Sequence, residues 1–272
     1  VPINEAIERA HKEGILTAAS LMVGSPAAAD AIGRARRLPS LKVGLHVVVV
    51  RGLALLPHET IPLIADQSGM LPTDLFRAGV RFFFNPAARR QLEAEIRAQF
   101  EAFRITGLPL DHVDTHNHLH YHPTVLGIIL RVGRDYGVRA IRLPREPFLP
   151  AWRAAGNRFA ARLMWSIFLW PWLALMRARI RSAGLIANDA MFGMGDTGHM
   201  TGERVLRIID ELPEGLSEIY FHPATTTWDE GDSLTERYDR QGELAALTSA
   251  DVIAALRRRG VRCTTFSEVA DG

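Results

Sequence analysis

Five of the ten histidines in the chain fall within Asp111 to Pro123, DHVDTHNHLHYHP. Alternate residues of a strand share a face, so His112, Asp114 and His116 are expected to project together, with His118 and His120 continuing that parity into the following loop. Imidazole suits a catalytic divalent ion, which takes about three protein ligands and leaves a position open to water. Not every histidine in the run is then a ligand. The others orient ligands or contact substrate, and Asp114 reads as a carboxylate fixing a histidine tautomer. A lone histidine is more often a packed core residue, but five in so short a window exceed what packing needs.

Two further histidines have a placement that suits chemistry. His46 sits in KVGLHVVVV and His222 near the end of SEIYFHPA, both toward the carboxyl ends of expected strands. Each alone reads better as a core histidine bonded to backbone. Together with the cluster they become candidates, because α/β proteins gather active sites from the carboxyl ends of their strands. His11, His58 and His199 lack such placement and read as surface residues. Cys263 is the only cysteine, which excludes an internal disulfide and a cysteine-based zinc cluster and leaves any metal to His, Asp or Glu.

The elements that must position these residues alternate between strand and helix patterns. Helices are expected over Ile3–Lys12, Pro26–Arg37, Pro86–Ile105, Thr124–Tyr136 and Thr248–Arg259. Strands are expected over Ile15–Val23, Lys42–Val50, His112–His116, Val138–Leu143, Ser217–His222 and Val261–Phe266. This order favours an α/β fold with a parallel sheet or barrel in a single domain, 1–272. A chain of 272 residues that is 47% hydrophobic has ample core for it. The sequence opens with Val1 and directly in a helix, so the strand expected before that helix is absent and the natural beginning is expected to lie upstream.

Charge narrows the partners. With 32 basic against 30 acidic residues the net charge is +2, which lacks the basic field of a nucleic-acid binder, and no nucleic acid is expected. No basic region followed by an apolar one opens the chain, so the expected setting is cytoplasmic. From Pro147 to Asn188 there is no acidic residue, while Arg153, Arg158, Arg162, Arg177, Arg179 and Arg181 surround the apolar run Leu163–Met176. That run falls short of the roughly 18 residues read as a membrane span, so no crossing helix is expected. It reads instead as an insertion, about 147–188, making peripheral contact with an anionic membrane at the inner surface through Trp165, Leu169 and Trp172. A buried helix hairpin broken at Pro171 accounts equally for the apolar run.

The motifs around these residues resemble a family. GLHV at His46, HVDTHNHLHYHP at His116, IRLPRE from Ile141 to Glu146 and EIYFHPA at His222 are similar in order and spacing to those of YdjC-like carbohydrate deacetylases, most of all the hopanoid biosynthesis-associated branch. The resemblance implies a distorted (β/α) barrel that removes acetyl groups from N-acetylated amino sugars with a divalent metal, zinc or magnesium. It makes His46 and His116 metal ligands and His222 the general acid. The substrate it implies is an N-acetylglucosaminyl hopanoid or another glycolipid. A soluble chito-oligosaccharide deacetylase and a lipid-binding protein without turnover are the alternatives. The family begins with a strand ending in Ala-Asp-Asp-Phe-Gly, whose aspartates supply a ligand and the general base. VPINEA resembles the stretch a few residues past that motif, so the chain as given is expected to bind metal weakly and turn over poorly. Arg142 and Glu146 are read either as partners of sugar hydroxyls or as a structural ion pair, and Glu218 as a residue that orients His222 or a neighbouring strand.

Overall fold

The computed structural model describes residues 1–226 and 238–272. They gather into two compact units, one of Val1–Thr17, Leu143–Arg179 and Ala187–Thr265, the other of Ala18–Arg142, Ile180–Ile186 and Phe266–Gly272. The chain opens in α1 (Pro2–Glu13), part of the first unit, where Pro2 occupies an end position that needs no N–H partner. Ala6 and Ala10 bury its inner face against Leu244 and Leu247.

The second unit carries the histidine cluster. β1 (Ala18–Leu21), β2 (Lys42–Val47) and β3 (Leu110–Thr115) form a parallel sheet in that order. α2 (Ala28–Arg36) connects β1 to β2, and α3 (Leu75–Phe84) and α4 (Pro86–Ile105) lie between β2 and β3. Asn85 fixes the start of α4, its side chain accepting from the N–H groups of Ala87 and Ala88. Leu92, Ile96, Phe100 and Phe103 bury one stripe of that helix. Glu95 and Gln99 are buried too, and both are spent on backbone. Gln99 accepts from the Val48 N–H at 2.8 Å and donates to the Val48 carbonyl at 2.6 Å, while Glu95 accepts from the N–H groups of Leu55 and Leu56. Buried peptide groups left without partners would be costly, so these bonds fix the chain as it leaves the carboxyl end of β2, beside His46. Beyond β3 a 3-10 turn covers His116–Tyr121 and leads into α5 (Pro123–Asp135).

In the first unit α6 (Phe148–Ala155) precedes α7 (Phe159–Ser182), whose last residues belong to the second unit. β4 (Ala190–Phe192) pairs in parallel with β5 (Ser217–Ile219), with α8 (Gly202–Asp210) between them in sequence. α9 (Arg240–Leu247) and α10 (Ala250–Arg258) complete that unit, its core built from Phe192, Val205, Ile208, Ile209, Val252 and Leu256 among others. α11 (Phe266–Asp271) returns to the second unit. The result is an α/β fold with parallel strands.

Three expectations are corrected. Val138–Leu143 is not a strand: Ala140 and Ile141 make only isolated bridges, to Ile186 and Val113, although both are fully buried. Val261–Phe266 makes no ladder among the described residues, and Arg262 and Cys263 are exposed. The segment around Pro171 is no hairpin but one helix of 24 residues that contains Pro171, whose missing N–H cannot bond the Ile167 carbonyl. Because the helix runs past the apolar residues at both ends, it is long and apolar enough to cross a membrane, and length does not exclude a span.

Candidate functional site

The parallel register sets His46 of β2 opposite Asp114 of β3. Asp114 Oδ1 lies 2.8 Å from His46 Nδ1, so the carboxylate holds the proton on Nδ1 and leaves Nε2 as the lone-pair nitrogen. The Arg142 guanidinium pairs with the other Asp114 oxygen. Asp114 is buried, and burial alone would raise its carboxyl, but Arg142 and His46 together hold it well below the ordinary carboxylate range. His116 follows β3 directly, its ring edge-on to that of His46 with centroids 5.7 Å apart.

The turn after His116 breaks the strand parity expected of the cluster. Asn117 and His118 both have φ of 52°, the left-handed region that side chains seldom occupy. The kink folds His118 and His120 back so that their rings lie 6.1 Å apart. Burial, and then the charge of Arg142, keep His118 well below the usual imidazole range. His120 is fully buried, accepts or donates at 2.6 Å between Nδ1 and Thr115 Oγ1, and is lowered to about 4 by burial; both imidazoles are neutral at pH 7. His120 Nε2 has no hydrogen-bond partner among the described residues.

His112 is removed from the candidate ligands. Its Nδ1 is 2.8 Å from Asp111 Oδ2 and its Nε2 is 3.1 Å from Ser20 Oγ, so both nitrogens are engaged. The ring lies over Gly44, where a Cβ would come within 2.5 Å of it, which explains the glycine in KVGLHV. His122 instead meets the rings of Phe82 and Phe83.

The remaining candidates lie in the other unit. His222 is three residues past β5, its ring flanked by Tyr220 at 5.4 Å and Tyr238 at 5.2 Å, and its backbone N–H donates to Glu243. Glu243 also accepts from Met200 N at 3.2 Å, and burial pushes its carboxyl up. Sequence reading misses this residue; its one signal is an acidic side chain on the apolar stripe of RQGELAAL. Glu146 accepts from the N–H groups of Gly193 and Gly195 at 3.2 Å and pairs with Arg162 at 3.3 Å; burial raises it as well. Arg142 and Glu146 therefore form ion pairs, with Asp114 and Arg162 respectively, not with one another. Glu218 lies in β5 opposite Met191. A recess of about 410 Å³ in the first unit is lined by Asn157, Arg158, Asp196, Thr197, His199 and Arg204, among others, and by no residue of the histidine cluster.

Chemically, His46 and His116 offer two imidazoles, one oriented by a carboxylate, which is the usual arrangement behind a metal ligand. The donor set fits a divalent ion in kind. Among the described residues, however, no group of three or more His, Cys, Asp or Glu is arranged to hold one.

An α/β fold with parallel strands carries an Asp-oriented histidine at a strand's carboxyl end, and comparison gives that arrangement a family. Residues 1–258 match the sequence model of the YdjC-like proteins, and the chain belongs to that family. It is similar to a carbohydrate deacetylase of Brevibacillus brevis, 27% identical over 98% of this chain and 94% of that protein. A carbohydrate deacetylase of Geobacillus stearothermophilus is 28% identical over 98% and 91%. A solved structure from Enterococcus faecalis V583 that carries the name of a cellobiose-phosphate cleavage protein superposes with a TM-score of 0.73, at 23% identity over 98% of this chain and 93% of that one. At that identity the likeness concerns the fold alone.

Proposed function

We propose that this chain is a metal-dependent carbohydrate deacetylase acting on the N-acetyl group of an amino sugar carried by a membrane lipid, an N-acetylglucosaminyl hopanoid being the expected substrate, and that its fold is a distorted (β/α) barrel. The observation that carries the reading is the Arg142–Asp114–His46 chain ending beside His116. His46 and His116 would hold a zinc or magnesium ion, which when bound supplies Lewis-acid polarisation of the acetyl carbonyl and acidifies water. The chain's own groups do the rest. Asp114 keeps the His46 proton on Nδ1, and Arg142 keeps Asp114 ionised while it does so. Water adds to the amide carbon and gives its proton to the carboxylate base that the family motif implies, the C–N bond breaks, and the amine leaves with a proton whose donor we assign as His222. Acetate and the free amino sugar are the products.

Acetate release from an N-acetylglucosaminyl lipid, with and without chelator and after returning zinc or magnesium, tests this. Release that is lost to chelator and restored by metal supports it; chelator-resistant release defeats the metal assignment. A second reading, a lipid-binding protein without turnover, is favoured by the lack of a third ligand among the described residues. Lipid-dependent stabilisation without acetate under any metal would select it.

A further inference from the structure

Helix α7 has two apolar faces, and only one of them is used. At 100° per residue, Arg162, Leu169, Leu173, Met176 and Ile180 form one stripe. Leu173, Met176 and Ile180 are buried, and Leu169 is half-buried. The opposite stripe, Met164, Phe168, Pro171 and Leu175, is exposed together with the adjacent Ile167 and Trp170. Phe168 is 71% exposed, Ile167 66% and Trp170 64%. Of the residues expected at the membrane, Trp165 is exposed, Leu169 belongs to the inward stripe and Trp172 is half-buried on its flank.

The charges say what covers this face. Three of the six arginines of the segment are neutralised from outside it: Arg153 by Glu211, Arg162 by Glu146 and Asp196, and Arg177 by Asp189. These pairs correct the expectation of a wholly unbalanced segment. Arg158 before the helix and Arg181 in its last turn are exposed, with no carboxylate in the segment to meet them. An apolar face running from Met164 to Leu175, roughly 17 Å at 1.5 Å per residue, with an exposed cation beyond each end complements an anionic lipid surface.

We propose that α7 docks flat on an anionic bilayer, burying Met164, Ile167, Phe168, Trp170 and Leu175 among the acyl chains while Arg158 and Arg181 meet headgroups. The mode is in-plane. A span would draw Arg162 and Arg177 into hydrocarbon and break their ion pairs, and would strip the buried stripe from the protein. The proposal stands on the helix alone and does not require the deacetylase reading, although it would bring a lipid-linked sugar within reach.

The test uses the whole chain with vesicles of phosphatidylcholine, alone or mixed with phosphatidylglycerol, and no substrate. Sedimentation with the mixed vesicles is expected, with a blue shift of tryptophan emission, weakening in high salt and release at alkaline pH. Ile167→Ser with Phe168→Ser and Leu175→Ser should abolish binding while thermal melting stays unchanged. Should that variant fail to fold, Arg158→Gln with Arg181→Gln is the second arm, expected to weaken binding by roughly an order of magnitude. Equal binding to neutral vesicles, retention after alkaline extraction, or a triple serine variant that changes only the oligomeric mass would each overturn the proposal, the last by identifying a second copy as the occupant. Loss of deacetylation with vesicle binding intact would count against the proposed activity and not against docking.

Discussion

The histidine cluster and the outer face of α7 depart from ordinary burial in opposite directions. The cluster takes polar groups inside: Asp111, His112, Asp114, His120 and Arg142 are all buried. Each is held by a partner distant in sequence or one turn away, as His46 is by Asp114 and His112 by Ser20. Helix α7 leaves Phe168, Trp170 and Ile167 outside, with no surface among the described residues to receive them. A buried polar group that is paired has its explanation inside the molecule, whereas an exposed apolar face has its explanation outside. The two regions accordingly fail in different ways, and mutation should separate them.

The largest effect is expected in the cluster. His116→Ala in an enzyme assayed for acetate release should lose more than about 10³-fold in activity with little change in melting, since His116 is only half-buried at the end of β3. Activity that survives would break the assignment of this region as chemical. Next comes Asp114→Asn, which keeps an acceptor for His46 but leaves Arg142 buried beside a neutral group. Unfolding in urea should show a loss of at least about 3 kcal/mol, and metal affinity should fall roughly 10- to 100-fold. A loss of stability near zero would mean that Arg142 finds another partner or water.

Sequence patterns disclose the scaffold better than the site. The stripe of Leu92, Ile96, Phe100 and Phe103 places α4 to the residue, because periodicity is local. The run KVGLHVVVV marks β2 for the same reason, although the strand ends at Val47, three residues short of the expected Val50. The pairing of His46 with Asp114 spans 68 positions and depends on sheet register, which no local pattern encodes. Nor does parity survive past His116, since two left-handed residues reverse the chain there. Helix α8 carries a local signal, with Thr201 as cap and Val205, Ile208 and Ile209 on one face, and a reading centred on strands and histidines passes over it. Ion pairs such as Arg162 with Asp196 are equally invisible, which is why the arginines around α7 look unbalanced in sequence.

Acid sharpens the comparison further. His120 is lowered to about 4 in the folded chain, while an unfolded histidine titrates near 6.5. The unfolded state therefore binds the extra proton first, and stability is full above about pH 6.5, falls as pH drops toward 4 and levels off below it. The loss attributable to this one group is on the order of 3 kcal/mol. His120→Gln should flatten the acid limb of stability measured by urea unfolding across that range. An unchanged limb would place the acid sensitivity elsewhere, and none of it should arise from α7, whose outer face carries no titrating side chain.

The smallest expected effect is the most discriminating, because it compares two residues of one helix. Met176 is fully buried and Phe168 is 71% exposed, eight residues apart on α7. Met176→Ala removes packed atoms and leaves a cavity, so it should cost about 2–5 kcal/mol in urea unfolding. Phe168→Ser removes a larger side chain from solvent contact and should change stability by no more than about 0.5 kcal/mol. A substitution that removes an aromatic ring without cost would be expected of a surface whose partner lies outside the folded chain. If Phe168→Ser instead destabilises as much as Met176→Ala, the ring is packed in solution, α7 is a core helix on both faces, and the contrast between the two regions collapses.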